Sequence, residues 1–118
     1  MTWEEVLAIA LAYPGVEEGT SYGTPALKAN GKFLTRFRAE DESVVLVDVS
    51  FDEREMLMEA EPQTFHLTPH YRNYPSVLAR LKTLDAATLR NFLERRWRNV
   101  SAKKVVRAWE EAHKAEAG

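Results

Sequence analysis

The sequence contains no cysteine, and none of its apolar runs is long. The missing thiols exclude cysteine catalysis, a disulfide framework and zinc sites built on thiolate ligands. No run approaches the ~20 apolar residues of a membrane-spanning helix. The N-terminus carries Glu4 and Glu5 where a secretory signal would carry bases. We therefore expect a cytoplasmic protein without membrane association.

The motifs of several enzyme classes are also missing. The five glycines form neither G-x-x-x-x-G-K-[ST] nor G-x-G-x-x-G, and the G-x-S-x-G of a nucleophilic serine is absent. His66 and His70 are four residues apart, but Pro69 lies between them in a segment whose pattern predicts strand and loop. We therefore expect a non-enzymatic protein without a cofactor or a metal.

The length and the 45% hydrophobic content are typical of one compact domain, predicted to span residues 1–118. The last four residues, 115–118, are expected to fray. Four helices are predicted, each beginning at a capping residue: Thr2 in a capping box with Glu5, Ser50 or Asp52, Asp85, and Ser101.

Strands are predicted where β-branched or alternating apolar residues lie between turn signals, of which Asn30-Gly31 is the strongest. About five strands are expected, the first three forming a meander: residues 26–28, 32–38, 43–49, 64–67 and 75–81. Since strands and helices do not alternate as in a parallel sheet, the predicted fold class is α+β. An antiparallel sheet would carry helices packed on one face.

Positive charge is concentrated in the second half of the chain. The net charge is −2, yet the segment from His70 to Arg107 has ten bases and two acids. From Arg95 to Arg107 there are six bases and no acid, so we expect these charges to be free of nearby partners. Clustered bases favour nucleic-acid phosphates through counterion release. The alternative is that they line the solvent face of two helices.

Trp97, Arg36 and Arg38 can each be interpreted as structural or as functional residues. Trp97 follows the helical period of Phe92 and Leu93, which predicts a core residue rather than a base-stacking one. Arg36 and Arg38 alternate with Phe33, Thr35 and Phe37, which predicts both arginines on the open face of the sheet. That pattern is equally typical of an ordinary solvated sheet face.

The segment between Pro69 and Pro75 is expected to be an ordered loop that forms, with the Asn30-Gly31 hairpin tip, the rim of a functional surface. Its candidate site residues are His70, Tyr71 and Tyr74. A protonated His70 can donate to a phosphate or a carboxylate. Alternatively, His70 hydrogen-bonds the neighbouring backbone and only holds the loop.

Four ordered segments resemble the MmcQ/YjbR family over nearly the whole chain: Leu11-Ala12-Tyr13-Pro14-Gly15-Val16-Glu17-Glu18, Tyr22-Gly23-Thr24-Pro25-Ala26-Leu27-Lys28 through Gly31-Lys32-Phe33, Thr68-Pro69-His70-Tyr71-Arg72-Asn73-Tyr74, and Arg96-Trp97 followed by Lys103-Lys104. The resemblance implies a fold like that of the frataxin/CyaY domain and the DNA binding through a "double wing" that is generally ascribed to this family.

The residues and the resemblance together predict a cytoplasmic, monomeric domain that binds nucleic acid, with DNA expected, mainly through phosphate contacts. The predicted contact residues are Lys28, Lys32, Arg72, Arg95, Arg96, Arg98, Lys103 and Lys104. Two alternatives stay open: a module that docks an acidic protein partner through the same bases, and a small-ligand or regulatory site at the His70 loop.

Overall fold

A computed structural model describes the backbone of residues 1–117 and the side chains of residues 1–114. Of the four residues expected to fray, 115–117 continue the backbone of the last helix, and Gly118 lies outside the described residues. The helices are α1 (Trp3–Ala10), α2 (Phe51–Ala60), α3 (Ala86–Val100) and α4 (Lys103–Ala117). The strands are β1 (Val16–Ser21), β2 (Thr24–Ala29), β3 (Lys32–Arg38), β4 (Ser43–Val47), β5 (Phe65–His66) and β6 (Ser76–Arg80). A 3₁₀ turn spans Pro69–Tyr71. No helix of the described part is long and apolar enough to cross a membrane.

The structure confirms the α+β class, but the antiparallel sheet has six strands rather than five, in the order β1-β2-β3-β4-β6-β5. The unpredicted strand is β1, which pairs with β2 from Val16 opposite Ala29 to Ser21 opposite Thr24. Its sequence, VEEGTS, has a single apolar residue, and it lies at the edge of the sheet. An edge strand with so little buried surface shows no alternation of apolar residues.

Local capping chemistry sets three of the four helix starts as predicted. Thr2 forms its capping box with Glu5, Ser50 Oγ accepts from the backbone N–H of Glu53 at 3.1 Å, and Asp85 accepts from Thr88 at 2.7 Å. The fourth helix begins at Lys103, where the carbonyl of Ala102 accepts from Val105 and Val106. The predicted cap, Ser101, is instead the C-cap of α3, and its hydroxyl accepts a hydrogen bond from Asn30.

The helices cover one face of the sheet. The main core between the layers includes Val6 of α1, Leu27, Leu46 and Val77 of the sheet, and Leu89 and Leu93 of α3. Trp97 is fully buried, with its indole N–H donating to the carbonyl of Pro14 at 2.8 Å, so the prediction of a core residue is confirmed. The other face of the sheet, called the open face below, carries a smaller cluster of Val45, Leu78 and Tyr71.

Because of a register shift in β3, its residues do not all lie on the faces of the sheet that the sequence predicts. Leu27 pairs with Thr35 and Lys28 with Phe33, so Leu34 has no partner of its own, as in a β-bulge. Beyond the bulge Phe37 contacts Trp3 of α1, at 5.8 Å between ring centroids. Phe33 instead joins the cluster on the open face. Phe33 and Phe37 were expected on the same face, and the extra residue separates them.

Candidate functional site

Three of the four arginines of α3, Arg95, Arg96 and Arg98, have carboxylate partners, contrary to the expectation from the sequence. Arg95 forms a bidentate ion pair with Glu53 of α2, at 2.7 and 3.0 Å. Arg98 donates to Glu94 one turn earlier and to Glu110 of α4, both at 3.0 Å. The partners lie outside the acid-free segment, on other elements or just before it. Counting charges within the segment therefore overstated its free positive charge.

Arg96 is held in the same way. Its Nε donates to the carbonyl of Phe33 at 2.8 Å, and its Nη1 lies 3.3 Å from Asp48 Oδ1. Asn99 donates to the other oxygen of Asp48 at 2.9 Å. Asp48 thus joins α3 to the end of β4. Arg95, Arg96 and Arg98, the arginines at the centre of the predicted nucleic-acid surface, are all placed by structural ion pairs.

The predicted lysines behave differently. Lys28, Lys32, Lys103 and Lys104 are exposed, and no described carboxylate lies within 4.0 Å of their ammonium groups. Asn30 brings their two segments together, because its amide donates to the carbonyl of Val100 at 3.2 Å and to Ser101 Oγ at 3.1 Å. The β2–β3 hairpin tip therefore lies against the α3–α4 junction. We call Lys32, Lys103 and Lys104 the lysine corner; Lys28 pairs with Phe33 and therefore lies on the other, open face of the sheet.

The hairpin tip is consequently not part of the rim predicted around His70, because Asn30 faces the α3–α4 junction. The turn between β1 and β2 takes its place: Tyr22 lies 6.1 Å from His70, ring centroid to ring centroid, in an edge-on arrangement. The remaining predicted base, Arg72, is exposed on the Pro69–Pro75 loop.

The Pro69–Pro75 loop and the open face of the sheet line a solvent-open cavity of about 360 Å³, which we call the open-face cavity. It is lined by Ser21, Tyr22, Phe33, Arg36, Val45, Val47, Asp48, His70, Tyr71, Tyr74, Pro75 and Ser76. All three residues of the predicted loop site belong to this lining. The volume lies near the lower end of the range of ligand pockets, roughly 300–1,000 Å³.

Arg54 of α2 holds the loop in place. Its guanidinium is buried and donates to the carbonyls of Tyr71, Arg72, Tyr74 and Ser76 at 2.9–3.4 Å. These bonds satisfy backbone acceptors that the irregular loop cannot pair internally. The loop is therefore fixed by contacts to a helix 17–22 residues earlier in the chain. No pattern in the sequence predicted this role, since Arg54 lies in an ordinary charged helix segment.

Arg36 is a buried cation on the cavity wall, 7% exposed. Its Nε and Nη2 donate to the hydroxyl of Tyr71 at 3.2 and 2.9 Å, and its Nη1 donates to Thr24 Oγ1 at 3.0 Å. No carboxylate of the described residues lies within ion-pair distance of it. The sequence placed Arg36 on the open face but predicted a solvated side chain.

The cavity rim is aromatic. Tyr22 is 80% exposed, stacks over the Arg36 guanidinium at 5.2 Å and has a positive φ of 52°. His70 packs edge-on against Tyr71 at 4.7 Å and lies 6.1 Å from the ring of Tyr74. The His70 imidazole has no hydrogen bond within the described part of the chain, which does not support the alternative in which it bonds the neighbouring backbone. Its ring instead packs against neighbouring aromatic rings.

The sequence has relatives. The YjbR family pattern matches residues 11–99. Proteins of Mycobacterium bovis and Mycobacterium tuberculosis, both described as uncharacterized, are each 26% identical to this chain over 122 residues. The alignments cover 92% of this chain and 95% of each relative. No solved structure matches the chain significantly. Since the family pattern spans well over half of the sequence, the protein belongs to the YjbR family.

Proposed function

We propose that this protein is a non-enzymatic, monomeric domain that binds nucleic acid, with DNA as the expected form, through phosphate contacts at the lysine corner. The observation that carries the proposal is the pair of hydrogen bonds from Asn30 to Val100 and Ser101. They join two segments, 28–32 and 103–104, that are about 70 residues apart in sequence. Three exposed lysines, Lys32, Lys103 and Lys104, then belong to one surface region.

The structure shifts the proposed contacts from arginines to lysines. A phosphate approaching Arg95 or Arg98 would compete with bidentate or double carboxylate pairing. Phosphates approaching Lys32, Lys103 or Lys104 meet ammonium groups whose hydration is the only competitor. Lys28 is opposite Glu17 in the β1–β2 ladder, so its positive charge is partly offset. We assign the larger share of phosphate binding to the other three lysines.

The test is fluorescence anisotropy with a labelled DNA duplex at several salt concentrations. The unmodified protein is expected to bind in the non-specific range, roughly 10⁻⁴–10⁻⁶ M, with affinity falling as salt rises. Replacing Lys32, Lys103 and Lys104 together with glutamine should weaken binding to all duplex sequences alike. It should also reduce the slope of log K against log salt by about 0.9 for each phosphate that is no longer neutralised.

The matched control replaces three exposed bases elsewhere, Lys82, Arg90 and Lys114, with glutamine. Both triple variants change the net charge equally, so a specific surface predicts a much smaller loss of affinity in the control. Equal losses would show that only overall charge matters and would overturn the lysine corner. If no duplex binds at low salt while an acidic polypeptide does, the protein-interaction alternative replaces nucleic-acid binding.

A further inference from the structure

The open-face cavity lies outside the lysine corner and plays no part in the proposed nucleic-acid contacts. We propose that it is a binding site for a small organic oxyanion, a carboxylate or phosphate group attached to a flat apolar body. The oxyanion would contact Arg36, Tyr71 and Ser76, and the body would lie between the aromatic rim and the apolar floor. Three independent features of the cavity support this assignment.

The first feature is the charge of Arg36. Removing a guanidinium from water is unfavourable unless an anion and enough acceptors compensate it. Arg36 has acceptors in Tyr71 and Thr24 but no carboxylate within reach among the described residues, and Asp48 of the cavity lining is already paired with Arg96. A guanidinium has five N–H groups, and the three observed bonds leave two of them for a ligand. A bound oxyanion would supply the missing negative charge and accept from this planar donor.

The second feature is a pair of hydroxyls with unused capacity. The Tyr71 hydroxyl accepts two bonds from Arg36, and its own proton has no acceptor among the described groups. Ser76 is 2% exposed and lines the cavity, yet its hydroxyl oxygen has no hydrogen-bond partner among the same groups. Buried hydroxyls are normally paired. A ligand oxygen would provide the acceptor that each of these donors lacks.

The third feature is the turn that carries Tyr22. Both central residues of this two-residue turn, Tyr22 and Gly23, have positive φ, the type I′ pattern that favours asparagine and glycine. A tyrosine there is conformationally unfavourable, and its ring is 80% exposed. The unfavourable conformation and exposure of Tyr22 are explained if its ring covers a bound ligand. Phe33, Val45 and Val47 form the apolar floor opposite this rim.

The experiment measures binding to the full chain by isothermal titration calorimetry with four probes. Benzoate and phenyl phosphate carry the two candidate oxyanions on the same ring, benzyl alcohol lacks the charge, and inorganic phosphate lacks the ring. We expect at least one aromatic anion to bind at millimolar concentration or below. Benzyl alcohol and inorganic phosphate should bind more weakly. Preference for benzoate or for phenyl phosphate decides which oxyanion the site takes.

Three variants locate the site. Arg36→Gln should weaken binding of the anion about 10–100-fold, because it removes a charge-assisted interaction. Ser76→Ala should weaken it by about 3–10-fold while leaving the melting temperature nearly unchanged, since the hydroxyl has no partner to lose. Tyr22→Asn should raise the melting temperature, because asparagine suits the turn, yet weaken binding of the anion by roughly 2–10-fold.

The outcomes separate this site from the lysine corner. The triple lysine variant should bind the aromatic anion as the unmodified chain does, and Ser76→Ala should bind duplex DNA normally. The site is overturned if neither aromatic anion binds, if benzyl alcohol binds equally well, or if inorganic phosphate alone binds as tightly. It is also overturned if Ser76→Ala and Tyr22→Asn leave binding unchanged, and these two variants decide the matter should Arg36→Gln fail to fold.

Discussion

The last three arginines of α3 and two buried arginines, Arg36 of β3 and Arg54 of α2, differ in what surrounds them. Arg95, Arg96 and Arg98 are partly exposed, and each has a carboxylate partner. Arg36 and Arg54 are buried, and neither has one among the described residues. Three arginines of the segment richest in bases are therefore neutralised, while two isolated buried arginines carry uncompensated charge. The density of bases along a sequence does not indicate where free charge lies in the fold.

The physical reason is the geometry of pairing. A surface arginine reaches carboxylates on any neighbouring element, as Arg95 reaches Glu53 across 42 positions of sequence. A buried arginine contacts only what the packing around it provides. Arg54 meets loop carbonyls, and Arg36 meets two hydroxyls. Substitutions in the two regions should accordingly have effects of very different size.

The largest effect is expected at Trp97, which stands among the α3 arginines in sequence but points into the core. Trp97→Ala should lower the free energy of unfolding by about 3–5 kcal/mol, because it leaves a cavity and an unpaired carbonyl on Pro14. Urea unfolding monitored by circular dichroism measures the change. An unchanged unfolding midpoint together with lost DNA affinity would make the indole a stacking platform and place the α3 face in the interface.

The next effect in size distinguishes the two arginine environments directly. Arg54→Gln should lower the free energy of unfolding by roughly 2–4 kcal/mol, since several loop carbonyls lose a charged donor at once. The Pro69–Pro75 loop should also become more susceptible to proteolysis, which limited digestion and mass spectrometry can map. A loop that resists cleavage as before would mean that the Arg54 contacts do not hold it.

The matched substitution on α3 should have a much smaller effect. Arg95→Gln breaks a partly exposed ion pair with Glu53, and such pairs contribute about 0–1 kcal/mol. The same urea experiment gives both values under identical conditions. A loss of stability at Arg95 equal to that at Arg54 would contradict the contrast between the two regions. It would show that the α3 pairs are a major part of the stability of the fold.

Local signals in the sequence were sufficient for much of the fold. Thr2, Ser50 and Asp85 cap the helices they were predicted to cap, and Asn30-Gly31 makes its hairpin. These features depend on residues within four positions of one another. The edge strand β1 was missed because a strand that buries little shows no periodicity. The bulge at Leu34 was missed because register is set by the partner strand.

The site was predictable only in part, for the same reason. His70, Tyr71 and Tyr74 form one side of the open-face cavity, and the prolines around them indicated an ordered loop. The opposite wall depends on Arg36, whose partner Tyr71 is 35 positions away. Glu53 and Asp48 neutralise arginines more than 40 positions further along the chain. Such pairs exist only once the helices have packed on the sheet, so no local pattern indicates them.

The smallest expected effect concerns His66, on the edge strand β5. Burial, followed by the nearby charge of Arg80, lowers the pKa of His66 from its usual 6.5; Asp41 acts in the opposite direction, and Arg38 lowers the pKa slightly further. The unfolded chain therefore binds this proton more readily than the folded one. The free energy of unfolding should therefore be unaffected by this histidine above pH 6.5. It should decline as the pH falls from 6.5 to the lowered pKa of His66.

His66→Gln tests this dependence because glutamine can still hydrogen-bond Ser43, which lies 2.9 Å from the imidazole Nε2. Urea unfolding of both proteins from roughly pH 7.5 to pH 5 should show a shallower loss of stability in the variant. Both proteins contain the same other titratable groups, so the difference between the two curves reports on the histidine and its contacts. Parallel curves would mean that burial and the charge of Arg80 do not lower the pKa of His66 in the folded protein.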